Sequence, residues 1–382
     1  MNRATSSLKP CFLVVPLDWG LGHATRCIPL VHNLLRHDCT VLLAAEGKTR
    51  HLLVQEFPHL TCLSIPGYRV TYSKNKLGLP LTIATQVPRI LKAIKNEQTW
   101  LQTVVKNHKI DAIISDNRYG LYHPSIPSVF ITHQLLVKTP FGKTMDHLLQ
   151  RLNYRFINRF TECWIPDTEG LNNLAGELSH PKTWPHIPVR YLGPLSRFSE
   201  TKYATGEHLL ILLSGPEPQR AIFEKQMVQE LVHYPKPVIL VRGLPGSGEQ
   251  LSLPGNIEVH NHLPASLLEE KIRKASYVIS RCGYSTIMDL AVVKKKSILV
   301  PTPGQTEQEY LAKHLSTINF ALCINQNRFR LDAALDLAAS FPYRFAEINM
   351  ELMEKTIYDF IERLVHHRQD KQNKNISPGE GF

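Results

Sequence analysis

The stretch from Ser280 to Leu315 reads SRCGYSTIMDLAVVKKKSILVPTPGQTEQEYLAKHL. It contains the same unit twice, because an apolar run ends in a turn and a helical pattern begins directly after the turn. The first run (277–283) turns at Gly283, and the second (297–303) turns at Gly304 and Gln305. Strands that alternate with helices in this way predict a parallel, doubly wound sheet.

The same alternation extends outward from this stretch through most of the chain. Apolar runs predict strands at 11–17, 39–45, 60–65, 109–116, 128–134 and 162–167, and again at 208–215, 237–243 and 257–263. The polar segment SETKYATGE at 199–207 separates the two groups and predicts a domain boundary. We therefore expect an α/β protein with two doubly wound domains.

These patterns set the domain limits that we expect. An N-terminal domain covers 1–198, and a C-terminal domain covers 199–345. A last helix at 346–366 is expected to pack back on the N-terminal domain, and the polar residues 367–382 are expected to form a disordered tail.

The composition is typical of an ordinary globular protein. The chain has 382 residues, of which 43% are hydrophobic and 20% are charged. The seven cysteines are widely spaced and include no CxxC pair, which argues against a disulfide framework and a zinc ribbon. No run approaches about 18 consecutive apolar residues, and the run at 11–17 is too short for a signal sequence. We expect a cytoplasmic protein.

The formal net charge of +11 is compatible with a solvated basic surface, an anionic substrate, an anionic membrane or nucleic acid. Basic and aromatic residues do not interleave, so we expect no nucleic-acid partner. The basic segment 68–76 and the amphipathic stretch 81–95 are candidates for contact with an anionic membrane or an acceptor. A solvated basic loop is the alternative.

The turn at Gly283 is a candidate anion site. Ser285 and Thr286 open the helix that follows, so free backbone N–H groups and the positive end of the helix dipole favour a phosphate there. Asp289 follows one turn later and can accept hydrogen bonds from ribose hydroxyls. An N-capped helix with an acidic first turn is the alternative interpretation of the same residues.

The stretch 280–315 resembles the donor-binding region of the MurG-like, family 28 glycosyltransferases. Their pattern S-R-x-G-x-x-T-x-x-E, then V-P-x-P, then a glutamine at a helix start is matched by SRCGYSTIMD, VPTP and QTEQ. A second match, GLGH at 20–23, follows the first strand, where the same superfamily carries a G-x-G-H motif. The resemblance implies the GT-B fold, in which an acceptor-binding and a nucleotide-sugar-binding Rossmann-like domain face each other across a cleft.

The resemblance also implies roles in the C-terminal domain. Gly283 and Thr286 match the turn that receives the diphosphate, and Asp289 replaces a ribose-binding glutamate that is one methylene longer. Gln308 matches the first of two glutamines that hold the donor sugar, and Glu309 stands at the second. The further donor contacts that we expect are Ser214, Gly215, Leu263, Arg281, Ser285 and Gln305.

Three of these further contacts have specific roles in the resemblance. Leu263 matches the residue whose backbone reads the uracil edge, and the turn at Ser214 faces the diphosphate. Arg281 either serves the phosphates or braces the turn.

The N-terminal domain supplies the candidate catalytic residues. His23 lies at a helix start facing the cleft, where the dipole favours the neutral imidazole that a general base needs. Asp116 follows a strand and either assists the base or binds an acceptor hydroxyl. The expected acceptor contacts are Gly22, Arg26, Arg118 and His133. A turn histidine bonded to backbone, and loop packing for the others, are the alternatives.

The implied reaction is an inverting transfer of a hexose or N-acetylhexosamine from a nucleotide-diphosphate sugar, UDP-linked, to an unknown hydroxyl. The acceptor would be a lipid-linked or cell-envelope glycan, with the protein peripheral at the inner face of the membrane. No DxD-like pair appears at the expected place, so we expect no obligatory metal and no cofactor. A nucleotide-sugar hydrolase, a 2-epimerase, a non-catalytic sugar-nucleotide-binding protein and, more distantly, a dinucleotide-dependent oxidoreductase are the alternatives.

Overall fold

The computed structural model describes residues 9–68, 79–199 and 206–376. Within these ranges the chain forms two parallel sheets. The strands of the first sheet are β1 (Cys11–Pro16), β2 (Thr40–Ala45), β3 (Cys62–Ser64), β4 (Ala112–Asp116), β5 (Ser128–Ile131), β6 (Glu162–Ile165) and β7 (Val189–Tyr191). Those of the second sheet are β8 (His208–Leu212), β9 (Val238–Val241), β10 (Ile257–His260), β11 (Ala275–Ser280), β12 (Ser297–Leu299) and β13 (Leu322–Cys323).

Helices connect most of these strands. In the first lobe they are α1 (Leu21–Arg36), α2 (Gly47–Glu56), α3 (Leu79–Asn107) and α4 (Lys143–Ile157). In the second lobe they are α5 (Gln219–Leu231), α6 (Ala265–Lys274), α7 (Tyr284–Val292), α8 (Thr306–Thr317) and α9 (Leu331–Ser340), and α10 (Glu351–Ile376) follows this lobe in the chain. Short 3₁₀ turns occur at Gly176–Leu178 and Gln326–Arg328.

The strand order places the candidate residues of each lobe at one sheet edge. The order is β3-β2-β1-β4-β5-β6-β7 in the first sheet and β10-β9-β8-β11-β12-β13 in the second. The first strand of each half along the chain, β1 or β8, therefore lies inside its sheet. In the first sheet Pro16 is level with Asp116, and Asp116 is level with Ile131. The carboxyl ends of β1, β4 and β5 therefore end together, which is where doubly wound sheets bind ligands.

The strands are apolar because both faces of each sheet are covered. Every residue of β4, β5 and β6 is buried, as is typical of parallel strands between helices.

All seven cysteines are free thiols, and Cys27, Cys39, Cys163 and Cys282 are buried. Within the described ranges no helix is long and apolar enough to cross a membrane.

The last helix differs in length from the expectation. Helix α10 continues to Ile376, so residues 367–376 are helical and the expected disordered tail is wrong for that part. Its Phe360 packs against the rings of Phe12 and Trp164, at centroid distances of 6.2 and 5.4 Å. The helix therefore lies against the first lobe, although it follows the second in the chain. Residues 377–382 lie outside the described ranges.

Two other expected features fall on residues that are not described. The centre of the polar segment between the lobes, 200–205, and residues 69–76 of the basic segment lie outside the described ranges. Tyr68, at the start of the basic segment, is buried.

Arg118, which we expected to contact an acceptor, lies in the core of the first lobe. Its side chain is fully buried, and its Nε donates to Glu97 Oε1 at 2.7 Å. Its terminal nitrogens donate to the carbonyl oxygens of Pro16, at 3.3 Å, and Pro66, at 2.5 Å. The Tyr68 hydroxyl donates to the other Glu97 oxygen at 2.8 Å. Arg118 thus ties β1 to α3, and the expectation of an acceptor contact is wrong.

We expect Arg118→Met to lower the free energy of unfolding by about 3–5 kcal/mol, because it leaves the Glu97 carboxylate buried without its cation. Burial raises the pKa of Glu97, and Arg118 opposes that rise. Removing Arg118 raises the pKa of Glu97 in the folded protein further. The decrease in the free energy of unfolding should therefore be larger at pH 8, where Glu97 must ionise, than at pH 5. Urea denaturation at both pH values measures it.

The double variant Arg118→Met/Glu97→Gln is the matched control, and it should recover part of the lost stability. An unchanged unfolding midpoint in Arg118→Met, combined with weaker acceptor binding, would restore the original expectation for this residue.

Candidate active site

Two helix N-termini meet where the lobes touch. Helix α1 starts after Gly20 and helix α7 starts after Gly283. Neither start has a side-chain cap, and neither first turn contains an acidic residue. Ser285 Oγ donates to the carbonyl oxygen of Gly22 at 2.9 Å across the interface. Unpaired N–H groups and the positive ends of two helix dipoles are thereby brought together, which favours an anion at this place.

Gly22 and Gly283, the two glycines at this contact, serve different purposes. A Cβ at Gly22 would lie 2.8 Å from Ser285 Oγ, so a side chain there would push the lobes apart. At Gly283 the backbone is ordinary, with φ −76°, and a Cβ would come no closer than 4.0 Å to Thr286 Oγ1. Gly283 therefore leaves open space above the start of α7, where a ligand can approach the backbone.

His23 lies in the first turn of α1 and is paired with Asp116 at the end of β4. Its Nδ1 is 2.9 Å from Asp116 Oδ2. Arg26, one turn further along α1, donates from Nε to the same Asp116 oxygen at 2.9 Å and from Nη2 to Oδ1. Arg26 and Asp116 are both buried. The expected acceptor contact of Arg26 is wrong, because its guanidinium is held by Asp116 inside the lobe.

These contacts determine which nitrogen of His23 is available. The Asp116 carboxylate can only accept, so we assign the proton of the His23 ring to Nδ1, which donates to Asp116, and the lone pair to Nε2. Arg26 Nη2 lies 2.8 Å from the same Nδ1, and in this assignment it donates to Asp116 Oδ1 and not to the ring. Nε2 is then the nitrogen that can accept a proton.

The charges around His23 favour its neutral form. Burial lowers the pKa of His23, and the Arg26 guanidinium lowers it further, while Asp116 acts in the opposite direction. Burial would raise the pKa of the Asp116 carboxyl, but Arg26 and then His23 outweigh it and hold that pKa below its usual value. The pair is therefore an ionised carboxylate and a neutral imidazole, as a general base requires.

His133 follows β5 and connects this pair to the second lobe. Its Nε2 lies 2.7 Å from Glu307 Oε1, in the first turn of α8. Its ring stacks on Tyr284 of α7, with centroids 4.0 Å apart and planes 6° apart. The Tyr284 hydroxyl donates to the carbonyl oxygen of Pro166 at 2.9 Å. His133, expected to bind an acceptor, is instead enclosed by side chains of both lobes.

Arg281 braces the turns of the second lobe. It is 1% exposed, and its guanidinium donates to the carbonyls of Gln219, Val300 and Pro301 at 3.0, 3.4 and 3.4 Å. It also lies over the Phe223 ring at 4.1 Å. Of the two roles expected for Arg281, these contacts correspond to bracing. One side chain thereby joins the turns after β8, β11 and β12.

Asp289 lies within α7, beside the segment that joins the lobes. Ser196 Oγ donates to its Oδ1 at 2.6 Å. Burial raises the pKa of Asp289 to about 6, while Arg197 and the Ser196 hydrogen bond act in the opposite direction. Leu263 follows β10 and is 5% exposed. Asp289 is thus close to the lobe junction and changes its charge near neutral pH.

The start of α8 is held by its own amide side chains. Gln308 Oε1 accepts the backbone N–H of Thr302 at 2.9 Å, and its Nε2 donates to Gln305 Oε1 at 2.6 Å. Glu309 Oε1 accepts the N–H of Gly304 at 2.9 Å. The backbone of the turn 302–305 is therefore fixed by the residues that the sequence places at the donor sugar.

The turn after β8 leads into a helix start that a neighbouring side chain caps in part. Gly215 has φ +108°, which favours glycine, and an added Cβ there would meet no atom within 4 Å. Ser214 precedes it, α5 begins at Gln219, and Glu217 Oε2 accepts the N–H of Ala221 at 3.1 Å.

Sequence reasoning found His23 and Asp116 together but missed Glu307 and Tyr284. In the sequence, Glu307 is only an acidic residue at a helix start. No local pattern reveals its partner His133, which lies 174 residues away in the chain. A cavity of about 550 Å³ lies between the lobes, lined among others by Lys138, Thr139, Pro140, Tyr310, Lys313 and His314. In the part of the chain that the structure describes, no group of three His, Cys, Asp or Glu side chains is placed to hold a metal ion.

Two family models match the chain. The model of the glycosyltransferase family 28 C-terminal domain matches residues 249–364. The model of glycosyl transferase family 1 matches residues 17–131. The first range contains β11, α7, β12 and α8, and the second contains His23 and Asp116.

Curated relatives match in a shorter stretch. The UDP-N-acetylglucosamine--N-acetylmuramyl-(pentapeptide) pyrophosphoryl-undecaprenol N-acetylglucosamine transferase of Bradyrhizobium sp. strain BTAi1 is 36% identical over 107 residues, which are 27% of this chain and 28% of that protein. The enzyme of the same name from Methylobacterium radiotolerans is 32% identical over 102 residues, 25% of this chain and 28% of that protein. The match thus spans less than a third of the length of these relatives.

Solved structures match over nearly the whole chain. The glycotransferase of kitacinnamycin superposes with a TM-score of 0.59 at 15% identity, covering 97% of this chain and all of that one. MurG of Acinetobacter baumannii gives 0.50 at 14% identity, covering 96% and 99%. These likenesses show the fold, two Rossmann-like domains that face each other across a cleft. The chain is a GT-B-fold protein similar to the MurG-like, family 28 glycosyltransferases.

Proposed function

We propose that this protein is an inverting glycosyltransferase that moves a sugar from a nucleotide diphosphate to an acceptor hydroxyl. The observation that carries the proposal is the meeting of two uncapped helix starts, α1 and α7, beside the His23–Asp116 pair. An anionic diphosphate and a base for a hydroxyl are the two requirements of this reaction, and both are met at one place. The family models on both lobes support the assignment.

The reaction follows from these groups. His23 Nε2 takes the proton of the acceptor hydroxyl, whose oxygen attacks the anomeric carbon from the side opposite the leaving group. The bond to the diphosphate breaks with inversion, and the N–H groups at Ser285 and Thr286 stabilise the charge on the departing nucleotide. Contact between the lobes excludes water, which would otherwise hydrolyse the donor.

The donor site extends from α7 to the start of α8. Asp289 is proposed to accept the ribose hydroxyls, and the backbone at Leu263 to read the base. Gln308 and Gln305, whose amides hold the turn 302–305, are proposed to meet the donor sugar. The named activity of the Bradyrhizobium relative uses a UDP-linked N-acetylhexosamine and a pyrophosphoryl-undecaprenol acceptor. By analogy we propose a UDP-sugar donor and a lipid-linked acceptor.

Helix α4 offers a surface for the membrane that such an acceptor requires. Phe141, Met145, Leu148 and Leu152 are 45%, 36%, 59% and 41% exposed. Phe141 precedes α4, and the spacing of three and four residues places Met145, Leu148 and Leu152 on one side of the helix. The stripe starts next to Pro140, which lines the cavity between the lobes.

The charges around this stripe favour an anionic bilayer over a second protein copy. Lys143, His147, Arg151 and Arg155 are exposed on α4. Its one acidic residue, Asp146, is buried and accepts from Thr139 N and Oγ1 at 2.7 and 2.8 Å. An apolar stripe beside cations without exposed carboxylates is the pattern of a helix that lies in a membrane interface. We propose this face of α4 as the docking surface, in place of the basic segment 68–76.

The donor assignment predicts a nucleotide affinity that depends on Asp289 and on pH. UDP should bind at micromolar concentration in calorimetry, and Asp289→Ala should abolish the binding. With a UDP-sugar, whose diphosphate does not titrate near pH 6, affinity should rise about tenfold from pH 5 to pH 7.5. The reason is that Asp289, with a pKa of about 6, must be ionised to accept the ribose hydroxyls.

Asp289→Asn is the control, and its affinity should not change over that pH range. If GDP or dTDP binds instead of UDP, the base assignment is wrong. If none of the three binds, the donor site itself is wrong.

The catalytic assignment predicts that His23→Gln lowers turnover by about 10²–10⁴-fold, because proton transfer to a positioned base contributes that much. UDP affinity should stay within about twofold, because the diphosphate is held by backbone N–H groups. Release of UDP from UDP-sugars is measured with detergent-solubilised, polyprenyl-linked sugars and without them. Equal release without any acceptor would favour a nucleotide-sugar hydrolase.

The docking surface predicts flotation with vesicles that contain phosphatidylglycerol and not with pure phosphatidylcholine. Leu148→Glu should weaken this binding by about tenfold, the effect of withdrawing one leucine side chain from an apolar phase. Leu337→Glu, on an exposed leucine of α9 (54% exposed), is the matched control and should bind as the unmodified protein does. Concentration-dependent dimerisation that Leu148→Glu abolishes, without vesicle binding, would replace the membrane by a second copy.

A further inference from the structure

A line of polar side chains crosses from the second lobe to His23. Glu307 of α8 contacts His133 at 2.7 Å, and Arg26 Nη1 lies 3.5 Å from His133 Nδ1. Arg26 bonds to Asp116, whose Oδ2 is 2.9 Å from His23 Nδ1. Asp116, Arg26 and His133 are buried inside the first lobe, with exposures of 0%, 2% and 4%. Only Glu307 comes from the second lobe, so the line is complete only when the lobes are in contact.

The proton positions along the line are fixed by its ends. The Glu307 carboxylate can only accept, so we assign the proton of His133 to Nε2, which donates to Glu307, and the lone pair to Nδ1, on the side of Arg26. Burial would raise the pKa of Glu307, but the hydrogen bond from His133 and the nearby His133, His23 and Arg26 hold it below its usual value. The stacked Tyr284 ring keeps His133 in the orientation that this pairing needs.

Counting charges shows what Glu307 adds. Asp116 and Arg26 cancel each other, so a proton on His23 would create an unbalanced positive charge next to the Arg26 guanidinium. With Glu307 in place there are two carboxylates for two cations. Coulomb interactions between partly buried groups decay slowly, so this second carboxylate acts on His23 although it does not touch it.

We propose that Glu307 is a positioning residue that couples contact between the lobes to the base: it docks on His133 and stabilises the protonated form of His23. The inference rests on the proposed function and deepens it. When the lobes are separated, Asp116 alone balances the charge of Arg26, so a proton on His23 is not compensated and His23 is a weak base. In the closed enzyme the acceptor proton passes to His23 Nε2, the acceptor oxygen bonds to the anomeric carbon, and the electron pair of the broken bond leaves with the diphosphate. The base is thus active only when the donor lobe is in place.

The test is a titration of His23 by NMR in protein with isotope-labelled histidine, assigned by the signal that His23→Gln removes. Glu307→Gln keeps the size and a hydrogen-bond acceptor but removes the charge. It should lower the pKa of His23 by roughly half a unit. Glu307→Asp keeps the charge and should leave that pKa within about 0.2 unit of the unmodified protein, on the scale of a weak Coulomb change. Glu309→Gln, two residues along α8, is the matched control for loss of charge at the start of the helix and should also leave the His23 titration unchanged.

An unchanged His23 pKa in Glu307→Gln overturns the proposal, and so does an equal fall in all three variants. The titration needs no substrate, so it can be read even if no glycosyl transfer is found. Failure of UDP binding would then contradict the proposed function alone. With an acceptor in hand, Glu307→Gln should lower kcat and leave the affinity for UDP unchanged, a split that a general loss of structure would not produce.

Discussion

The structure of the site depends on one buried ion pair, Arg26 with Asp116. Both side chains are enclosed in the first lobe, and a buried charge without its partner is strongly destabilising. The pair joins α1 to the end of β4, so it fixes the helix start that carries His23. The same Asp116 oxygen orients the His23 ring. Arg26 also reaches His133, and through it the second lobe. One interaction therefore positions His23, sets its protonation and connects it to the other half of the molecule.

A second constraint is the geometry of parallel strands. Each strand of a doubly wound sheet delivers its chain to the same edge, and the next helix starts there with N–H groups that have no partner within the helix. At Gly20 and Gly283 no side chain caps these groups, and the two starts are 2.9 Å apart at Ser285 Oγ and the Gly22 carbonyl. In the proposed complex, an anion held between the lobes supplies the missing acceptor and stabilises their contact.

The sequence predicted features that are local in the chain. The turn at Gly283 and the helix start at His23 are encoded within a few residues, so glycines, helix period and apolar runs placed these turns, and the family resemblance supplied their expected roles. The roles of Arg118 and Glu307 depend on partners 21 and 174 residues away, and no pattern within a window of the chain contains that information. The last helix is a third case. A polar composition predicted disorder for 367–376, but Phe360 and its neighbours anchor α10 on the first lobe, and the helix continues beyond the anchored part.

The three arginines near the site explain why residue type alone misled. The sequence suggested an acceptor contact for Arg26 and Arg118 and a phosphate contact or a brace for Arg281, yet all three are buried and bonded within the protein. A guanidinium has five donors in a rigid plane, so it can hold several strand-end carbonyls or carboxylates at once. Burial lowers the pKa of Arg281 to about 10, yet it is still a cation at neutral pH. These cations make the turns rigid, and the backbone N–H groups of those turns are left to meet the ligand. In the proposed function, recognition of a diphosphate by helix starts rather than by flexible cations would keep the site ordered before the donor arrives, which is the condition for stabilising charge that develops only as the bond breaks.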